Sequence, residues 1–321
     1  MTPCRPRILE ENLWSTLTLR CFCYIRPGFA DMKLPAGYSS LLRRELCIRN
    51  HEFAQKHRLD HVLSYGTESV VVYAPDLSGN LHGNFYTPSY AAIVKRPEWA
   101  RRLEKIHAQG RRALPRADRR WRELDSCISS DALLMNIFCC PRVCSSRQVA
   151  GELGTETTDI PEFGYKARVP FKPRETLLAT SLKPAPERVD RTEVDMRLGT
   201  LLVEAKLTES DFQRKSTDLV ETYRDSEEVF CVSDLPRAGD EYLGYQLIRN
   251  VLAAHASGNS FCVMLDARRR DLEAQWQDVL GCVRDSSLRT RCKMLQWQEL
   301  AQVLPPGLQK FLAEKYGIDA N

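Results

Sequence analysis

Residues 191–212 read RTEVDMRLGTLLVEAKLTESDF. Gly199 stands between two runs in which apolar and charged residues alternate. A two-residue turn with glycine at its first central position, Gly199-Thr200, closes a hairpin readily, because glycine takes positive φ without a steric cost. Such a turn pairs Leu198 with Leu201 and Met196 with Val203. It then sets Asp195 opposite Glu204 and Glu193 opposite Lys206. The alternation agrees with this register. Leu201, Val203, Ala205 and Leu207 share one face of the second strand, and Glu204 and Lys206 share the other. Thr192, Val194, Met196 and Leu198 share one face of the first strand, and Glu193 and Asp195 share the other.

Two carboxylates opposite each other in an antiparallel pair have Cβ atoms about 5 Å apart and repel. A divalent cation between them turns repulsion into attraction. Mg²⁺ suits two carboxylates, because it fills its remaining positions with water and phosphate oxygens. Lys206 lies about 6.6 Å further along the same face. From there an ammonium reaches an attacking water or the charge that develops on a phosphate.

Outward from the hairpin the pattern is α/β. Leu243, Leu247, Val251 and Leu252 form one stripe of a helix around 240–256. FCVMLD (261–266) reads as a strand, 269–284 as a helix and CKMLQW (292–297) as another strand. A last helix carries Leu308, Phe311, Leu312 and Tyr316, with Gly317 able to cap it. Strands alternating with helices predict a mixed or parallel sheet with helices packed on it. Upstream, Ser129-Ser130 precede the apolar run DALLMNIF, an N-cap signal for a core helix. Residues 145–190 are polar and irregular, with FGYKARVP (163–170) their best strand. SVVVYAP (69–75) reads as a strand ending in a turn at 76–80.

The D-x8-E-x-K arrangement of Asp195, Glu204 and Lys206 resembles the active-site hairpin of the PD-(D/E)XK phosphodiesterase superfamily. The wider pattern is similar to one bacterial branch of it. There a serine pair opens a helix ending in N-x-F, as Ser129-Ser130 and Asn136-Ile137-Phe138 do here. A Thr-x-x-Asp strand follows, as Thr192 and Asp195 do, then E-x-K-x-T-E, as in Glu204 to Glu209. A later helix carries Q-L-x-R-N, as in Gln246 to Asn250. Asp131 follows the serine pair where the branch usually has Gln, and Val194 stands where the superfamily's name has Pro. The resemblance implies a restriction-endonuclease-like core, a central mixed β-sheet flanked by helices. It implies hydrolysis of phosphodiester bonds, most often in DNA, with Mg²⁺ or Mn²⁺. Asp195 and Glu204 would be the metal ligands, with the backbone carbonyl of Ala205 as a further one. Lys206 would orient or activate water and offset charge. Glu209, Gln246 and Arg249 are further candidates. Gln246, Arg249 and Asn250 share a helix face that could meet substrate.

The chain has 321 residues, 46 Lys or Arg and 42 Asp or Glu, for a net charge of +4. That mixture excludes a collagen-like repeat, a coiled-coil rod and a long disordered chain. The charge is segregated. Residues 95–123 hold eleven Lys or Arg against four Asp or Glu, which leaves 35 against 38 elsewhere. This basic stretch should be partly helical, broken at Gly110 and Pro115, and could meet phosphates. Trp99 and Trp121 within it could stack on bases, although a core position is commoner.

Three segments are expected: a disordered extension over 1–31, a basic region over 32–125 packed on the core, and the nuclease-like core over 126–321. No apolar stretch approaches the roughly 18 residues of a membrane span, and no signal peptide is evident. The 12 cysteines lack a C-x-x-C pair and read as buried thiols in a reducing, cytosolic setting. No G-x-x-x-x-G-K-[ST] loop or G-x-S-x-G elbow is present. The leading expectation is therefore a metal-dependent DNA nuclease. Its rival is a non-catalytic module, binding nucleic acid or protein, that retains the fold.

Overall fold

The computed structural model describes residues 37–64, 69–106, 122–173 and 187–320. The expected extension over 1–31 and most of the basic stretch, residues 107–121 with Trp121, lie outside them. Five strands form the central sheet: β1 Pro161–Lys166, β2 Glu193–Leu198, β3 Leu201–Ala205, β4 Ser260–Leu265 and β5 Cys292–Gln296. They lie side by side in chain order. The β1–β2 and β2–β3 pairs are antiparallel, and β4 and β5 run parallel to β3. The Gly199-Thr200 turn joins β2 to β3, and residues 167–192 join β1 to β2. Parallel neighbours need a crossover, and helices α3 (Tyr245–Ser257) and α4 (Arg270–Gly281) lie in the two that are needed. The fold is thus α/β, with a mixed sheet flanked by helices, as the restriction-endonuclease-like expectation requires.

The hairpin takes the expected register. Met196 pairs with Val203, Arg197 with Leu202 and Leu198 with Leu201. Gly199 has φ 56°, as the first central residue of this turn must. An added Cβ there would run into the Asp159 carboxylate.

Each face of the sheet carries its own core. On one side, α2 (Ser130–Phe138) lays Leu133, Leu134 and Ile137 against Met196, Leu201 and Val203. Helices α1 (Tyr38–His57) and α5 (Pro306–Tyr316) add Leu42, Leu46, Leu308 and Leu312 to the same layer. Thus a helix from the N-terminal region shares this core. On the other side, Leu247, Ile248 and Val251 of α3 and Leu272 and Trp276 of α4 cover Leu202, Phe261 and Val263. Ser129 caps α2 by accepting from the Ala132 N–H at 3.1 Å, and every residue of that helix is buried.

Three local readings change. Val194 does not share a face with Met196: it packs in the α3 layer with Tyr165, while Met196 packs in the α2 layer with Phe163. The switch falls at Gly164, whose φ of 67° is left-handed and interrupts the pleat between those pairs. The helix expected from residue 240 starts at Tyr245. Residues Glu241–Leu243 form a strand of a small antiparallel sheet, and Gly244, at φ 68°, breaks from it into the helix. The stretch 145–190 is not wholly irregular, since Arg147–Leu153 is helical.

Pro97–Ala100 forms a helical turn, followed by a 3-10 turn over Arg101–Glu104. Trp99 docks on the sheet edge, its indole N–H donating to the Pro161 carbonyl at 3.0 Å. Among the described residues, no helix is long and apolar enough to cross a membrane.

Candidate active site

Strands β2 and β3 stop exchanging ladder bonds after Met196 and Val203. The reason lies in Asp195. Its Oδ2 accepts from the Ala205 backbone N–H at 2.8 Å, so a side chain takes the donor that a continuing ladder would use. The Glu193–Lys206 pair expected one step on does not form. Glu193 instead faces Lys166 across β1 and accepts from the Arg102 guanidinium.

Glu204 and Lys206 were expected on a charged face away from the core, yet they are buried, at 2% and 5% exposure. The cause is their strand. β3 is the middle strand of the sheet, and α3 lies over the face to which both side chains point. Burial forces each to find a partner. The Lys206 Nζ donates to Glu204 Oε1 at 2.6 Å. The other carboxylate oxygen accepts from Asn250 Nδ2 of α3 at 2.9 Å. The Lys206 ammonium also stands 5.5 Å from the centre of the Phe212 ring.

The chain leaving β3 is pinned residue by residue. The Lys206 N–H donates to the Met264 carbonyl at 2.8 Å, and the Lys206 carbonyl accepts from the Trp297 indole at 3.0 Å. The Leu207 carbonyl accepts from Arg269 at 2.9 Å. Glu209 accepts from the Leu207 N–H at 2.6 Å and from the Ser130 hydroxyl at 2.5 Å. The second serine of the pair therefore ties the hairpin to the start of α2.

Electrostatics follow from this crowding. Burial pushes the Asp195 carboxyl well above the usual carboxylate range. The negative charges of Glu204 and Asp131 push it further, while Lys206 and the Ala205 N–H pull it back. For Lys206, burial disfavours the ammonium most. The combined charges of Glu204, Glu209 and Asp195 outweigh that, and they hold it above its ordinary value.

The structure thus brings Asp195, Glu204 and Lys206 together. Glu209 lies one short loop away, engaged with Ser130. Gln246 is half-buried in the first turn of α3, where its backbone N–H donates to the Phe212 carbonyl at 2.9 Å. Arg249 does not present itself to a substrate. It is buried, and its guanidinium donates to the Thr192 and Glu193 carbonyls at 2.7 and 2.9 Å and to Asn250. It holds the entry to β2 instead, because carbonyls freed at a strand end need donors.

The sequence reading missed the contribution of Arg102, Lys105 and Asp131. Arg102 and Lys105 donate to Asp131 at 2.7 and 2.6 Å. The one signal for them was Asp131 itself, an acid at the second position of an otherwise apolar helix.

Among the described residues, no group of three or more His, Cys, Asp or Glu side chains is arranged to hold a metal. The oxygen donors on offer are the Asp195 and Glu204 carboxylates and the Ala205 carbonyl, all hard ligands of the kind Mg²⁺ takes. The five carboxyls of Asp131, Glu193, Asp195, Glu204 and Glu209 outnumber the four cations Arg102, Lys105, Lys206 and Arg249 by one, an excess that a dication would relieve.

Neither a curated protein nor a solved structure matches the chain at significant similarity. One family model does, over residues 39–317, which take in the hairpin, both crossover helices and α5. With a restriction-endonuclease-like sheet and that match over most of its length, the chain belongs to the family described as Restriction Endonuclease associating with ARP.

Proposed function

We propose that the chain is a phosphodiesterase of the PD-(D/E)XK type that hydrolyses nucleic acid, DNA before RNA, with Mg²⁺ or Mn²⁺. One observation carries the reading: Asp195, Glu204 and Lys206 converge where β2 and β3 part, with Asp195 on the Ala205 N–H and Glu204 on the Lys206 ammonium. Asp195, Glu204 and the Ala205 carbonyl would hold the cation. When bound, the cation supplies Lewis-acid polarisation of the phosphate and a more acidic water.

The chain's own residues do the rest. Asp195 stays aimed because its second role, accepting from Ala205, fixes its rotamer. Asn250 does the same for Glu204. Lys206, held above its ordinary value, keeps its proton at neutral pH. It therefore opposes the negative charge gathering on the phosphate and orients water as a donor, but does not take a proton from it. Ser130 and Glu209 keep the loop after β3 in place, and Arg249 keeps the start of β2 in place.

The test is digestion of single- and double-stranded DNA and RNA with Mg²⁺ or Mn²⁺, comparing the wild type with Asp195→Ala and Lys206→Ala. Cleavage by the wild type alone is the expected result. Intact substrate in every lane, or equal cleavage by the variants, overturns the reading. The rival, a non-catalytic binding module, draws on one feature: both Glu204 oxygens already have partners within the chain. It predicts binding of nucleic acid without cleavage under the same conditions.

A further inference from the structure

Two cations reach the site from outside the hairpin. Arg102 donates from Nη2 to Asp131 Oδ2 and from Nη1 to Glu193 Oε1, each at 2.7 Å. The Lys105 ammonium approaches the same two oxygens, at 2.6 and 3.8 Å. Each oxygen is therefore shared by both cations. Asp131 and Arg102 are almost out of water, their side chains 4% and 11% exposed. Surface ion pairs have neither this burial nor this sharing. Asp131 opens α2, and Glu193 is two residues from Asp195 on β2, so the cluster adjoins the carboxylates assigned to the metal.

We propose that Arg102 and Lys105 are positioning residues that fill the Asp131–Glu193 carboxylate pair with fixed positive charge, so that the site recruits one divalent cation, at Asp195 and Glu204, and not a second. The inference rests on the metal-dependent reading above. Its physical basis is competition. Two carboxylates that share two cations offer the same oxygens a hard dication takes. Both cations stand on one short turn and its exit, so they are present at high effective concentration and need no recruitment. An amide in place of Asp131 would leave Arg102 with Glu193 alone and Lys105 with Glu123, at 3.2 Å, and Glu193. The fixed pair also keeps the excess negative charge near Asp195 small enough that a phosphate diester is not repelled.

The experiment is Mn²⁺ titration of the full chain by calorimetry, with unfolding temperature measured alongside. The wild type is expected to bind one Mn²⁺. The variant Arg102→Gln/Lys105→Gln is expected to bind a second. Its unfolding temperature, lowered without metal, should rise with Mn²⁺ by more than the wild type's does, and not with NaCl of equal ionic strength. Adding Asp131→Asn should abolish that second ion and the extra rise. A merely structural ion pair would leave the variant's Mn²⁺-induced rise in unfolding temperature no larger than the wild type's. Should the double variant fail to fold, Lys105→Gln alone is expected to bind Mn²⁺ about tenfold more tightly. The reason is that one positive charge less beside Glu193, two residues from Asp195, lowers the repulsion that a dication meets. Two ions in the wild type, equal numbers in wild type and double variant, or an unchanged Kd for Lys105→Gln overturns the proposal. No Mn²⁺ bound by the wild type overturns the metal-dependent reading itself, and one ion in both proteins overturns only this one.

Discussion

Replacing Lys206 by methionine removes the ammonium that touches Glu204 at 2.6 Å and keeps most of the apolar stem. The two side chains are 6% and 2% exposed, so solvent screens their attraction little. After the substitution Glu204 keeps the Asn250 amide but loses its cation. Stranding one member of a buried pair costs about 3–5 kcal/mol, most of it the desolvation of the charge left behind. In a chain of this size that corresponds to a Tm lower by on the order of 10 °C. Glu204→Gln strands the ammonium and is expected to cost a similar amount. The double variant Glu204→Gln/Lys206→Met removes both charges and recovers much of the loss, a coupling energy of about 2–3 kcal/mol. The assay is urea unfolding followed by circular dichroism at pH 7.5 in EDTA, for all four proteins. Additive losses would refute the reasoning. So would a cost below about 1 kcal/mol for Lys206→Met, which is the worth of an exposed pair.

Three further outcomes are expected. Lys315 is fully buried, donating to Asn50 at 2.6 Å and to the Gly83 carbonyl at 3.2 Å, and burial holds its ammonium well below the ordinary lysine value, against a smaller opposing effect of Cys127. The unfolded chain then binds this proton more tightly than the folded chain does, so this group's contribution to stability falls as pH drops below about 10. The stability of wild type relative to Lys315→Met should accordingly increase as pH rises from about 7 towards 10 by urea unfolding; a difference constant with pH counts against this. Gly199→Ala should lower stability by about 1–2 kcal/mol, the cost of a left-handed alanine, with the Asp159 carboxylate displaced from the turn, and an unchanged Tm would contradict the turn geometry. Ser129→Ala should cost about 1 kcal/mol through loss of the α2 cap, measurable as a shift in urea midpoint at constant m, whereas no shift would mean that the bond to Ala132 contributes nothing.

The hairpin was legible because its rules are local. A period of two, one glycine and a two-residue turn are enough to set which residues of β2 and β3 pair, and the pairing of Met196 with Val203 follows from them. The α2 helix was legible for the same reason, a serine cap followed by an apolar run. The α3 start was not, because Glu241–Leu243 takes its conformation from partners at Arg214–Ser216 and Arg237–Ala238. Val194 was misplaced because the kink that turns it comes from Gly164, on another strand.

For the site, the sequence by itself determined which charges sit near the hairpin bend and in what order: Asp195, Glu204 and Lys206. The tertiary structure decided what those charges meet. Glu204 and Lys206 are buried because β3 became the central strand and α3 closed over it. Arg249 became a prop for β2 because its helix delivered it to two free carbonyls. Arg102 meets Glu193 across 91 residues of chain. Backbone preferences and side-chain periodicity act over a few residues. The partner of a buried charge is chosen by desolvation, and desolvation depends on which distant elements pack against it.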